Sequence, residues 1–248
     1  MLSIVWFSMA ALADPPPAVV IKKETAAYSY EFGWSREAKA VAALDQLLRA
    51  KAKDSIDEFT GEADQAYRES RKDQGGWFPD VGYQHHWSYE TAGQSKRLLS
   101  LSGSWYSYTG GAHGIFGANA LLWDRQSNKT IELADLFDKV TEFAMLHPAM
   151  CMGLNRHRAE KREGETLDTE YPALNKAFNG CPKYEELTIW VSDEDRDGRF
   201  DRFNFSADPY VAGPYVEGSY DVSLPVSKRL LRALRPEYRP SFEAQGVQ

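Results

Sequence analysis

The stretch from Ser35 to Tyr67 constrains the fold of this chain most. Val41, Leu44, Leu48, Ala52, Ile56 and Phe59 recur at steps of three or four. On a helix of 3.6 residues per turn these positions line one face. Ala63, Ala66 and Tyr67 extend the stripe despite Gly61, and Lys, Asp and Glu fill the opposite side. Ser35 is the expected N-cap, with Glu37 in the first turn where the helix dipole favours an anion. Gln74, Gly75 and Gly76 form the expected stop. A helix with one apolar stripe must bury it against another element. The stripe therefore reads as core packing with a solvated outer face, not as a partner-binding surface.

Strands are the expected partners. Residues 26–32 alternate, and a pair follows at 82–91 and 96–108 with Ala92-Gly93 as its turn. Another hairpin is expected from 118–124 and 130–133 around Ser127-Asn128-Lys129. Strands at 187–191, 202–206 and 218–224 complete the set. Helices are expected over 134–146 and 149–163, broken apart by Pro148, and over 171–178 and 227–234. Helices between blocks of hairpin-linked strands, without regular βα alternation, give an α+β class. The expected architecture is antiparallel sheets built from hairpins, packed against one long N-terminal helix and several shorter helices. The expected division is a cleaved signal over 1–13, an N-terminal α+β domain over 14–117 and a C-terminal α+β domain over 118–248.

The export signal is read from a short apolar run, Leu2 to Met9, ended by the small-x-small pattern Ala11-Leu12-Ala13. The run falls short of the roughly 20 apolar residues that span a bilayer. A cleaved signal is expected to place the mature protein in the periplasm or outside the cell; the alternative is a native buried N-terminal strand. The two cysteines, Cys151 and Cys181, are then most simply a disulfide. A zinc site is disfavoured, because neither a Cys-x-x-Cys nor a neighbouring His spacing is recognised. A net charge of −7 disfavours nucleic acid, whose phosphates demand a basic face, and permits a cationic partner.

Asp193, Asp195 and Asp197 alternate and are followed directly by Gly198, then Arg199 and Asp201. This is the first part of an EF-hand-type calcium loop, with carboxylates at positions 1, 3 and 5. Glycine stands at the sharp turn, position 7 supplies a backbone carbonyl and position 9 a further ligand. The expected ligands are Asp193, Asp195, Asp197, Arg199 through its carbonyl, and Asp201. Position 12 is Asn204 where a bidentate Glu is usual, and strands replace the flanking helices. The alternative is an acidic hairpin turn, since Asp and Gly favour turns without metal. A calcium ion here would be structural.

The run Tyr108-Thr109-Gly110-Gly111-Ala112-His113-Gly114 continues into Leu121-Leu122-Trp123-Asp124, Thr130-Ile131-Glu132-Leu133 and Ala134-Asp135-Leu136-Phe137. Later come Asp208-Pro209-Tyr210-Val211-Ala212-Gly213-Pro214-Tyr215 and Ser219-Tyr220-Asp221-Val222-Ser223-Leu224-Pro225. This order resembles the paired domains of unknown function at the extracellular end of RsiV-type anti-sigma factors. The same domains stand ahead of the catalytic domain in PdaC-type polysaccharide deacetylases. The resemblance runs from about Tyr28 to Tyr238 and implies an extracytoplasmic α+β module. In RsiV-like proteins that module recognises lysozyme. The expected departure from both relatives is that this chain has neither a transmembrane helix nor a deacetylase domain.

Within that run, Gly110, Gly111 and His113 are the candidate ligand-binding residues. Glycines let the backbone bend and approach a ligand, and a histidine can act as acid, base or metal ligand. The alternative is a structural bend whose imidazole bonds a nearby carbonyl. His85-His86 offers less, because strand neighbours face opposite sides. No His-Glu-x-x-His, Gly-x-Ser-x-Gly or phosphate-loop signature occurs. The expectation is a non-catalytic binding module of the cell envelope, recognising cell-wall glycan or a cationic, lysozyme-like envelope protein. The alternatives are an envelope polysaccharide hydrolase centred on His113 and a purely structural envelope protein.

Overall fold

The computed structural model describes residues 17–72, 76–162, 178 and 180–245. The expected signal at 1–13, the stop at Gln74-Gly75 and most of the expected helix at 171–178 lie outside the described residues.

The first sheet has six strands in chain order. They are β1 (Val19–Glu24), β2 (Tyr28–Trp34), β3 (Tyr83–Gln94), β4 (Leu98–Tyr108), β5 (Ile115–Asp124) and β6 (Lys129–Ile131). Every neighbouring pair is antiparallel except β2 and β3, which run parallel. Parallel neighbours need a long crossover, and two helices supply it, α1 (Arg36–Ala40) and α2 (Ala42–Lys72). Ser35 caps α1 as expected, its side chain accepting from the Ala38 N–H. The stripe is not one unbroken helix, because Val41 takes an extended conformation between α1 and α2. Strand β1 was not expected. It leaves Lys22, Lys23 and Glu24 exposed, so little periodicity marks it.

Leu44, Leu48, Ala52, Phe59 and Ala63 of α2 are buried against Tyr28, Tyr30, Phe32 and Trp34 of β2. Each fully buried Leu contributes about 2 kcal/mol relative to exposure. The polar tips are paired too, since Tyr30 Oη donates to Ala52 O (3.0 Å) and Trp34 Nε1 to Asp45 (2.9 Å). His85 stacks on Tyr30 beneath α2, whereas His86 meets Tyr106 on the other face.

Three local expectations are corrected. Strand β3 continues through Ala92-Gly93 to Gln94, and the turn closes at Ser95, whose N–H donates to Leu98 O. Gly93 marks a register shift instead, and a Cβ there would stand 2.8 Å from the backbone N of Asp193. Pro148 does not separate two helices. It lies in the first turn of α4 (His147–Arg162), where a missing N–H costs nothing. The expected helix over 134–146 is a series of short turns, including α3 (Val140–Phe143) between 3-10 segments.

The second sheet is antiparallel, β7 (Thr188–Ser192), β8 (Arg202–Ala207) and β9 (Tyr220–Pro225), in that order. Helix α5 (Lys228–Ala233) follows, capped by Ser227. Alternation along β4 and β5 joins the two halves. Leu99, Leu101, Leu121 and Trp123 face the α2 core, while Leu98 and Leu122 enter the core of Phe203, Phe205, Met150 and Leu154. The expected division after Gly117 falls inside β5. The class is α+β, with hairpin-built sheets around one long helix. Cys151 and Cys181 are joined, thirty residues apart.

Residues 239–245 return to the base of the acidic hairpin. Phe200 N–H donates to Ser241 O, Glu243 N–H to Phe200 O and Gln245 N–H to Val226 O. Ser95 Oγ bonds Ser241 Oγ at 2.9 Å, across 146 residues of sequence.

Candidate ligand face and acidic loop

Gly110 (φ 102°) and Gly111 (φ 93°) occupy the left-handed region between β4 and β5. Gly110 also admits Trp77, whose ring would lie 2.9 Å from a Cβ there. The bend presents His113 at the surface. Its Nδ1–H donates to Gly114 O (2.9 Å), and the imidazole stacks on Tyr215 with centroids 3.8 Å apart. Tyr215 Oη donates to the same Gly114 carbonyl (2.8 Å). Two motifs a hundred residues apart in sequence therefore meet ring on ring.

The second motif is anchored at its start by Asp208. Beyond the short β6, strand β5 has a free edge at Ala118, and side chains from the second sheet satisfy it. Asp208 Oδ1 accepts from Ala118 N–H (2.9 Å), and Thr188 Oγ1 donates to Ala118 O (3.1 Å). Burial pushes the Asp208 carboxyl above its ordinary value, opposed by that N–H and reinforced by Asp221. Gly117 makes the approach possible, because a Cβ there would stand 2.0 Å from Asp208 Oδ2.

Around the stack, Tyr210 (52% exposed) and Trp77 (69% exposed) offer large ring surfaces, with Ile115 beside His113 in sequence. Phe116 meets Tyr215 edge-on. Tyr210 holds a positive φ of 74°, a conformation unusual for a bulky residue. Rings on a fixed backbone suit the apolar faces of sugars or a partner's side chains, with the tyrosine hydroxyls and His113 Nε2 for hydrogen bonding. Among the described residues no carboxylate pairs with His113. Sequence reasoning singled out Gly110, Gly111 and His113 but missed Trp77, Tyr210, Tyr215 and Asp208. The signal for the last three lay in the second motif, whose spatial partner no periodicity discloses.

The acidic loop brings together carboxylate oxygens of Asp193, Asp195 and Asp197, all within 4.8 Å of one another. Gly198 turns sharply at φ 93°. Asp193 accepts from Gly198 N–H (2.9 Å) and Asp197 N–H (3.2 Å). Burial pushes its carboxyl up against those bonds. Asp201 stands apart from the triad. It is fully buried and accepts from Glu194 N–H and the Gln245 amide. Asn204 is further off, in β8, bonded to Ser192. The Arg199 guanidinium lies against Asp197 (2.6 Å) and Glu243 (2.5 Å) and holds Asp197 below the usual carboxylate range. The three-carboxylate cluster, oxygen-only and closed by glycine, fits a hard cation such as calcium. Arg199 is the competing internal cation.

The expected lack of a histidine near the cysteines is corrected. His147 precedes Cys151 by one helical turn, and its Nδ1 lies 3.4 Å from Cys151 Sγ.

The sequence model of the family described as Deacetylase PdaC matches residues 21–116, from β1 into β5. No curated protein matches the chain. Among solved structures, a DUF3298 family protein from Pseudomonas aeruginosa PAO1 superposes with a TM-score of 0.55 at 17% identity, covering 94% of this chain and 99% of that one. A DUF3298 family member from Bacteroides fragilis NCTC 9343 gives 0.53 at 16% identity, covering 90% and 95%. The resemblance to PdaC-associated domains of unknown function thus holds, and the likeness to the solved structures is one of fold.

Proposed function

We propose that the chain is an exported, non-catalytic binding module of the cell envelope that holds cell-wall glycan on its ring face. The observation that carries this reading is the convergence of two loops on one exposed aromatic surface, His113 stacked on Tyr215 with Tyr210 alongside. Exposed rings on a rigid scaffold bind flat apolar surfaces at low entropic cost. The match to the family described as Deacetylase PdaC supports the resemblance from which the envelope reading comes. A cationic, lysozyme-like envelope protein is the second reading, favoured by the net charge of −7. In either case calcium braces the hairpin through Asp193, Asp195 and Asp197, with the Arg199 carbonyl as a further oxygen.

The test is co-sedimentation of purified protein with insoluble peptidoglycan, alongside titration calorimetry with lysozyme. Tyr210→Ala and Tyr215→Ala should each weaken retention on the glycan about tenfold, the loss of one stacked ring at roughly 1–2 kcal/mol. Unchanged retention in both variants would refute the ring face. Binding to lysozyme alone, at a strength falling with salt, would select the second reading. Turnover of wall fragments abolished by His113→Ala would favour the hydrolase instead.

A further inference from the structure

We infer that His147, Cys151 and Cys181 form a zinc site when their disulfide is reduced, so that one cluster closes the chain covalently when oxidised and through metal when reduced. The inference is independent of the ring face.

The geometry begins with the helix. His147 opens α4 and Cys151 follows at i+4, so both side chains lie on one face. Cys181 arrives from the far side of the sequence. His147 Nδ1 is 3.4 Å from Cys151 Sγ, and Nε2 is 3.7 Å from Cys181 Sγ. One ligand atom from each residue falls within 4.8 Å of the others. Tetrahedral zinc, with Zn–S of about 2.3 Å and Zn–N of about 2.0 Å, holds its ligands roughly 3.3–3.8 Å apart. Nδ1 already stands at that range from Cys151 Sγ; the two sulfurs must separate and the ring must turn its Nδ1 toward the ion.

The second observation concerns the proton. His147 Nε2 lies 3.0 Å from Pro182 O. A carbonyl only accepts, so Nε2 carries the hydrogen and Nδ1 keeps its lone pair, with Cys151 Sγ lying broadside to the ring at 3.4 Å from Nδ1 and 3.9 Å from Nε2. A ring N–H fixed on a backbone carbonyl is how metal-binding histidines are oriented. Tyr184 meets the imidazole edge-on at 5.4 Å, and its own hydroxyl donates to Phe143 O. The ring is therefore held from two sides. In the oxidised chain the sulfurs are bonded to each other and offer no thiolate.

The chemistry balances simply. A dithiol reductant delivers two electrons and two protons, the Cys151–Cys181 bond breaks, two thiols form and the reductant closes to its own disulfide. Zn²⁺ then displaces both thiol protons to solvent and is held by two thiolates and neutral Nδ1. Water takes the fourth position, and the ion's charge is matched by the thiolates.

The experiment uses the full chain, reduced anaerobically with a phosphine, freed of reductant and titrated with Co²⁺. The expected result is one thiolate-ligated Co²⁺ per chain, with near-ultraviolet thiolate-to-cobalt charge transfer and intense visible bands of tetrahedral cobalt, both lost on adding Zn²⁺. The oxidised chain should show neither. Cobalt held by the acidic loop would have oxygen ligands and give no charge transfer, so the two sites are distinguished. Reduced His147→Ala should bind at least tenfold more weakly, and its melting point in the oxidised form reports whether the variant folds. Zn²⁺ should raise the melting temperature of the reduced chain and leave that of the oxidised chain unchanged. A reduced wild-type chain without charge-transfer absorption, or a folded His147→Ala variant with wild-type affinity, overturns the inference.

Discussion

The close approach of Asp208 to Gly117 makes a sharp prediction, because it is the joint between the first sheet and the loop that carries Tyr215. Gly117→Ala places a methyl group 2.0 Å from Asp208 Oδ2, 2.5 Å from its Cγ and 2.7 Å from Trp105 Nε1. No atom can remain there, so Asp208 must leave and Ala118 N–H loses its acceptor. Overpacking of this kind costs about 1–3 kcal/mol, and the lost bond adds about 1 kcal/mol. Gly117 does not hold a positive φ, so alanine regains about 0.5 kcal/mol by restricting the unfolded chain. The net expectation is a loss of about 2–3 kcal/mol, read by urea unfolding followed through tryptophan fluorescence. Asp208→Ala should cost about 1 kcal/mol by itself. In that background the alanine at 117 meets no carboxylate, so the double variant should be more stable than the sum of the singles by about 1–2 kcal/mol. Additivity within about 0.5 kcal/mol would refute the steric account, as would a Gly117→Ala variant as stable as the parent.

The remaining expectations rest on charges and cross-links. Asp124 is 1% exposed and accepts three hydrogen bonds from Arg97, two from Nε and one from Nη2. Burial raises its carboxyl, but Arg97 and the Gln126 and Ser127 N–H groups outweigh that and set it below the ordinary value. A depressed carboxylate stabilises above its unfolded pKa and loses that contribution as pH falls. Asp124→Asn should therefore cost about 2–3 kcal/mol near neutrality and flatten the loss of stability below about pH 4; an unchanged acid slope in denaturant titrations would contradict this. Millimolar calcium should raise the melting temperature, and Asp195→Ala with Asp197→Ala should erase the rise. Equal melting in calcium and in excess chelator would leave the loop an acidic turn. Cys151→Ser should lower stability by about 3 kcal/mol, since the bridge spans thirty residues; a loss under 1 kcal/mol would mean the unfolded chain is little constrained by it.

What the sequence disclosed followed periodicity and local chemistry. The α2 stripe, the Ser35 cap, the Asn128 turn and the strands around the acidic loop were legible because each depends on neighbours within a few residues. Failures occurred where a distant contact decided. Ala92-Gly93 has the composition of a turn, yet Gly93 is small because the acidic hairpin packs onto it. Pro148 reads as a breaker until its place in a first turn is known. The parallel β2–β3 pairing depends on α2 spanning back across the sheet, which hydrophobic alternation cannot express. For the ligand face, the glycine-bracketed histidine was visible in sequence. Its stacking partner Tyr215 was not, because the two loops are joined by contacts between residues some ninety to a hundred apart in sequence, the Asp208 anchor on the edge of β5 among them.

The return of residues 239–245 to the acidic hairpin sets an order on how this molecule can be made. Phe200 receives and gives its backbone bonds only to Ser241 and Glu243, and Phe242 covers both Phe200 and Phe203. Until those residues have been synthesised, two buried aromatic rings lack their cover and the hairpin base has unpaired backbone. Contacts this distant in sequence are reached late and carry a large loop-closure cost. A chain in which residues 239–245 have not yet been made is thus kept from completing the second core. The strands of the first sheet and α2 lie wholly before this segment, so residues 239–245 act as the latch that closes the second core.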